Sequence, residues 1–284
     1  MDSDVEALVE QAREGNAEAL EQLVMKIQDR VYGLAMRMLS HPADAEDATQ
    51  EVLIKIVTHL GEFRGESSFT SWVYRVASNH LLTTRKRRAE RNEFTFEACE
   101  RYIDDGLAAA GTHASPEAEQ GLIVAEIMLS CTQTVLLCLD RKLRIAYILS
   151  EVLDLSSKQG AYVLDISPTA FRKRVSRGRT LVRDYMKKNC GLVNPSNRCT
   201  CAQMVPHTVR VGWIVPEKLL FAAHPSRTPQ VGVPQDALDH MKEEDRVKAL
   251  FRSHPDYIAP TILLENLRRI VQAVRVAIQG DNTT

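Results

Sequence analysis

The sequence predicts an all-α chain: two helical bundles joined by a flexible linker, the second containing a helix-turn-helix, then a mostly helical C-terminal extension. Apolar residues recur every three or four positions through most of the chain, which is the spacing of one helix face. Few glycines and few alternating apolar patterns argue against a sheet in the first bundle. Proline and serine stand where two of the informative runs begin, as first-turn and capping residues do.

Residues 2–14 fit a short helix broken by Gly15-Asn16, and residues 17–39 a longer one with Leu20, Leu23, Val24, Ile27, Val31, Leu34, Ala35 and Met38 inward. Pro42 opens a third, with Asp44, Glu46 and Asp47 where the macrodipole favours negative charge. Leu53, Ile56, Val57 and Leu60 give it an apolar face, while Asp44, Asp47 and Glu51 form a separate acidic stripe. Gly61 closes the helix, and the loop EFRGESS carries Phe63 and Phe69 at its ends. The next helix buries Phe69, Val73, Val76, Ala77 and Leu81, puts Trp72, Arg75 and Asn79 on a neighbouring face, and ends in Arg85-Lys86-Arg87-Arg88.

From Ala89 to about Ser115 the periodicity fails in an acid- and alanine-rich stretch, read as a linker over residues 92–115 between domains at 1–91 and 116–189. Helical spacing resumes at Pro116. A short helix from about Ser157 to Leu164 is followed by a three-residue turn, then by Ser167 as cap and Pro168 in the first turn of another helix. That helix is expected to bury Phe171, Val175, Leu181 and Val182 and to present Arg172, Lys173, Arg174 and Arg177. Such a pair fits a helix-turn-helix, whose second helix enters a major groove about 12 Å wide.

Lys plus Arg total 36 against 37 Asp plus Glu, so the net charge of −1 is uninformative and the distribution matters instead. Basic residues concentrate at 85–91 and 172–188, acidic ones at 44–51 and 90–119, as expected if separate faces meet DNA and protein. No apolar run approaches the ~20 residues that span a bilayer, and the N-terminus is acidic and amphipathic, so the expectation is a cytoplasmic chain with no membrane insertion. No phosphate-binding glycine loop, HExxH or nucleophile elbow is present, which argues against an enzyme.

The order DAEDATQEVLIKI, then FRGESSFTSWVYRVASNHLLTTRKRR, resembles the second conserved region of bacterial RNA polymerase sigma factors of the extracytoplasmic-function group. The run SSKQGAYVLDISPTAFRKRVSRGRTLVRDYMKKN resembles the fourth region of the same family. The resemblance implies two partners, RNA polymerase core and promoter DNA. Asp47, Gln50 and Glu51 would face polymerase. Phe63, Ser67, Phe69, Trp72, Arg75 and Asn79, with Arg85, Lys86, Arg87 and Arg88, would hold the opened strand of the −10 element. Ser167, Thr169, Arg172, Lys173, Arg174 and Arg177 would read the −35 element. Gly160 and Gly178 depart from the family's pattern.

Beyond Asn189, residues 190–284 form an extension whose Cys190, Cys199 and Cys201 are followed by His207. No cofactor is required by this reading. Zinc or another soft metal on those four residues, a reversible disulfide, and simple packing of the turn are competing readings. Alternating Val209, Val211 and Trp213 suggest a short strand or irregular segment, and residues 235–253 and 260–279 suggest a helical hairpin. The extension is expected to cover the promoter-reading surfaces as an internal inhibitor, in place of a separate anti-sigma factor. The rival functions are a helix-turn-helix regulator acting without core polymerase and a metal- or redox-sensing binding protein.

Overall fold

The computed structural model describes residues 2–84, 94–109, 117–225, 235–263 and 265–266. The first bundle comprises α1 (Asp2–Arg13), α2 (Ala17–Leu39), α3 (Pro42–Thr58) and α4 (Phe69–Thr83), with a 3-10 turn at Leu60–Glu62. Local chemistry sets the boundaries. The Asn16 side chain accepts from Glu18 N and Ala19 N, Pro42 opens α3, and Ser68 accepts from Ser71 N to start α4. Leu23, Val31, Leu34, Leu53, Ile56, Phe69 and Leu81 meet in the core between them.

The second bundle comprises α6 (Glu117–Leu137), α7 (Arg141–Tyr147), α8 (Ser157–Leu164) and α9 (Pro168–Asn189), with a π turn at Ile148–Val152 after α7. Ser156 and Gln159 form a reciprocal capping box at α8, and Ser167 caps α9 by accepting from Ala170 N. Gly160 is required here: a Cβ on it would run into the ring of Phe171, which is only 1% exposed. We predict that Gly160→Ala lowers the stability of this bundle by about 1–3 kcal/mol, read as a shifted urea midpoint, with partial recovery when Phe171→Leu shrinks the ring.

Several features differ from the expectations above. Residues Phe96–Ala109 form a helix, α5, inside the stretch read as a linker without periodicity. Its Phe96, Cys99 and Ile103 do recur at helical spacing, but the surfaces that bury them lie far along the chain, on α9 and on α10 (Cys201–Arg210). Val209 lies in the last turn of α10 and Val211 caps it, rather than alternating in a strand, and Trp213 lies just after it. Leu181 on α9 is 38% exposed rather than buried, because the helix turns Val182 and Tyr185 to the core instead. Among the described residues the only strand-like pairing is an isolated bridge between Cys190 and Cys199.

The described extension also includes α11 (Gln235–Asp239) and α12 (Glu243–Arg252), two helices where one was expected over 235–253. Most of the helix expected over 260–279 lies outside the described residues. The extension packs against both bundles. Ala259 N donates to Asp29 Oδ1 on α2 (3.0 Å), and the Tyr32 hydroxyl lies 3.0 Å from His224 Nε2. Arg252 donates to Glu151 O (2.7 Å) and to Asp154 Oδ1 (2.6 Å) beyond α7. His254 lies 2.7 Å from Thr132 Oγ1 and 2.8 Å from the Tyr257 hydroxyl, and its burial, with Arg37 nearby, holds it well below the usual histidine range. Both bundles and the extension therefore share one hydrophobic core.

Candidate nucleic-acid interface

On α3 the buried side is Ala45, Ala48, Val52, Leu53 and Ile56, which leaves Asp47 and Glu51 exposed and Gln50 half-buried on the outer face. Asp44, expected on the same stripe, is buried. Glu51 is tied sideways to α4: its Oε2 lies 3.5 Å from Nε2 of His80, whose Nδ1 stands 2.9 Å from Lys55 Nζ. The acidic stripe is thus held against the helix that carries the aromatic group.

Phe63, Phe69 and Trp72 converge, with centroids 5.3–5.6 Å apart. They are not equally accessible. Phe69 is 2% exposed and Phe63 8%, whereas Trp72 is half-buried and stacks on Phe69 at an interplanar angle of 28°. In this arrangement the two phenylalanines form a floor and Trp72 keeps part of its ring at the surface, where stacking on a base is worth roughly 1–3 kcal/mol. Ser67 is half-buried and Asn79 exposed nearby. Arg85, Lys86, Arg87 and Arg88 lie outside the described residues.

Arg75 is the exception on this face, because it is already engaged. Its Nη1 donates to Tyr162 O (3.1 Å), its Nη2 pairs with Asp165 (3.0 Å), and its guanidinium lies 5.0 Å from the centre of the Tyr162 ring. Tyr162 belongs to α8, and Asp165 closes that helix in the left-handed conformation, with φ +52°. Thus α4 of the first bundle packs on the helix-turn-helix of the second. Sequence reasoning missed both acceptors, since nothing local marks residues about ninety positions away as partners.

On α9 the buried side is Phe171, Val175, Gly178 and Val182, so Ser167, Thr169, Arg172, Lys173 and Arg177 face solvent together, with Arg174 half-buried at their edge. Arg172 Nη2 donates to Thr169 Oγ1 (3.1 Å). This is a projecting cationic helix face with its N-terminal turn open, the form that enters a major groove.

Of the residues expected to hold a metal, Cys190, Cys199 and Cys201 line one cavity, and His207 is not part of that lining. Gly191 N donates to Cys199 O (2.8 Å), which brings Cys190 and Cys199 together, and Cys201 starts α10. His207 turns elsewhere: its ring meets Tyr102 edge-on at 4.7 Å, and its Nδ1 lies 3.3 Å from Arg210 Nη2. Among the described residues no group of three or more His, Cys, Asp or Glu side chains is placed to hold a metal ion. Burial pushes the Cys199 thiol up to about 11 and Cys201 up to about 12, so both are protonated near neutral pH.

A buried acid escaped the sequence reading altogether. Glu126, 2% exposed on α6, accepts from the backbone amides of Leu220, Phe221 and Ala222. The available signal was a single carboxylate inside the apolar run LIVAEIML, which needs partners when buried. Among the described residues no helix is long and apolar enough to cross a membrane.

Residues 23–91 match the family model for sigma-70 region 2, and residues 129–182 that for sigma-70 region 4. RNA polymerase sigma-H factor of Pseudomonas aeruginosa is 34% identical over 179 residues, covering 62% of this chain and 90% of that protein. ECF RNA polymerase sigma-E factor of Haemophilus influenzae is 32% identical over 189 residues, 64% of this chain and 95% of that protein. The solved structure of CnrH in complex with the cytosolic domain of CnrY aligns with 65% of this chain and 98% of its own at 22% identity and a TM-score of 0.45. With both regions in order and relatives matched over nearly their full length, the chain belongs to the extracytoplasmic-function group of RNA polymerase sigma factors.

Proposed function

We propose that the structure is a closed resting form of this sigma factor, in which the two DNA-reading bundles are held together by the C-terminal extension. As a family member the chain binds core polymerase and directs it to promoters, and the chemistry of RNA synthesis belongs to the core enzyme. In our reading Asp47, Gln50 and Glu51 meet core. Trp72, Arg75, Asn79 and Ser67, above Phe63 and Phe69, take the opened −10 strand, and Ser167, Thr169, Arg172, Lys173, Arg174 and Arg177 take the −35 duplex. The place of action is the cytoplasm, where core and promoter meet.

One observation carries the closed form: Arg75, assigned to one promoter element, is bonded to the helix pair assigned to the other. Two separated contacts on DNA cannot be made while α4 and α8 occupy each other. That contact is weak by itself. An exposed ion pair contributes about 0–1 kcal/mol and a cation–π contact about 0.5–1 kcal/mol, so the buried bonds of the extension supply the larger share of closure. The described extension does not lie over Arg172, Lys173 or Arg177, which remain exposed. It acts as a strap across the bundles, in cis, rather than as a lid on the reading surface.

The assignment of function is tested by run-off transcription with core polymerase and a promoter library. The full chain should select defined start sites, and the double substitution Asp47→Lys, Glu51→Lys should abolish co-elution with core. A chain that binds duplex DNA alone but neither joins core nor selects a start site would instead be the core-independent regulator.

A further inference from the structure

We propose that Cys99 and Cys138 form a hydroperoxide-responsive thiol pair whose disulfide fastens α5 to the end of α6. Their sulfurs are 3.6 Å apart, in van der Waals contact, and need to close to about 2.05 Å to bond. Both residues are partly exposed, so a small oxidant reaches them. Cys190, Cys199 and Cys201 line the same cavity as Cys99, but the sulfur in contact with Cys99 is that of Cys138, 39 positions away.

The two thiols are unequal. Cys99 sits in the first turn of α5, where the helix dipole favours a thiolate, and its sulfur contact with Cys138 draws it below the usual thiol range against burial and the nearby Glu100 and Glu97, while Cys138 is pushed above it. An attacking thiol beside a resolving one is the arrangement that oxidant-sensing cysteines share. Cys99 also lines a cavity of about 350 Å³ with Tyr102 and Cys131. The Tyr102 hydroxyl is buried and has no hydrogen-bond partner among the described residues, which leaves a polar anchor for a peroxide O–O group in a mostly apolar space that Ser130, Thr134, Asn189 and Thr208 also line.

The chemistry balances with hydrogen peroxide as oxidant. The Cys99 thiolate attacks one peroxide oxygen, the O–O bond breaks, and the departing hydroxide takes a proton as water, leaving a sulfenic acid. The Cys138 sulfur then attacks that sulfur, the S–S bond forms, and the S–O bond breaks with release of a second water that carries the Cys138 proton. Two thiols lose two electrons, and one peroxide becomes two waters.

The consequence for transcription rests on the closed form proposed above. In the reduced chain, residues 84–116 separate α4 from α6. After oxidation only residues 85–98 bridge Thr84 to the crosslink, a reach of about 50 Å at full extension. The crosslink also lies beside the point where Arg141 donates to the carbonyls of Leu82 and Thr84, so it secures the junction that opening must release.

The test treats the reduced full-length chain with hydrogen peroxide, alkylates the remaining thiols and maps peptides by mass spectrometry. The expected first product is the Cys99–Cys138 linked peptide, lighter by two hydrogens, absent in Cys99→Ser and in Cys138→Ser and retained in Cys199→Ser/Cys201→Ser. A first disulfide among Cys190, Cys199 and Cys201, or no disulfide while Cys99 stays reduced, overturns the site. With core polymerase, oxidised wild type should transcribe about tenfold less than reduced protein, recover with dithiothreitol, and differ from a Cys138→Ser chain that does not respond. A mapped disulfide with unchanged transcription would keep the thiol site and overturn its link to the closed form.

Discussion

Replacing Glu126 with leucine should free the C-terminal extension and raise promoter-dependent transcription. The carboxylate is the acceptor for a run of backbone amides: Oε1 takes Leu220 N at 2.7 Å, and Oε2 takes Phe221 N at 3.0 Å and Ala222 N at 2.7 Å. Phe221 and Ala222 are themselves buried, so water cannot replace the lost acceptor while the segment stays docked. Leaving a buried donor unpaired costs about 1–3 kcal/mol each, and we expect about 3–5 kcal/mol for the three together, since such losses are not additive. Glu126→Gln keeps one acceptor oxygen and should lose about half as much. Detachment reads out directly as faster hydrogen exchange in residues 219–225 and 243–259. If closure suppresses core binding by a similar free energy, apparent affinity for core should rise about a hundredfold to several thousandfold. Unchanged exchange would mean that the carboxylate is not what holds the strap; faster exchange with unchanged transcription would mean that the strap does not inhibit.

The second large effect is expected at Arg144. This residue is 4% exposed on α7, yet its guanidinium donates to Met38 O (2.7 Å) at the end of α2 and to Leu137 O (3.2 Å) and Leu139 O (3.0 Å) at the end of α6. A helix end leaves carbonyls without intrahelical partners and carries partial negative charge, and one planar cation satisfies two such ends here. It is also a bond between the bundles. Arg144→Met keeps the stem but strands those carbonyls, so we expect a loss of about 3 kcal/mol or more in urea unfolding. Arg144→Lys should recover little, because an ammonium cannot span both helix ends at once. Small-angle scattering separates the two roles: an increased radius of gyration marks parted bundles, whereas an unchanged radius with lower stability would confine Arg144 to bracing α6 against α7.

These expectations give the closed form a physical hierarchy. The contact that masks Arg75 is partly solvated and easily exchanged for phosphate or bases. The contacts that keep it masked are buried, and they come from Glu126, from Arg144 and from the Tyr32, Arg37, His254 and Tyr257 group where the extension meets α2. Binding of core therefore has to offset the buried set, and any signal that loosens the extension lowers that cost.

Much of the fold was legible because helix ends are local events. Pro42 fixes its own backbone in the first turn of α3 and Ser167 accepts from an amide three residues away, and the apolar spacing that follows names the inner face, so α3 and α9 begin where the chain implies. The exposed face of α9 followed from the same arithmetic. What only the tertiary structure decided depends on residues brought together from distant parts of the chain. The helical spacing within α5 becomes a buried face through α9 and α10, Phe69 becomes floor rather than reading surface, Arg75 meets Tyr162 and Asp165, and Cys99 meets Cys138. A capping bond closes within one helical turn and is written in a few adjacent letters, whereas these pairings depend on how whole helices pack, which no short stretch of sequence contains.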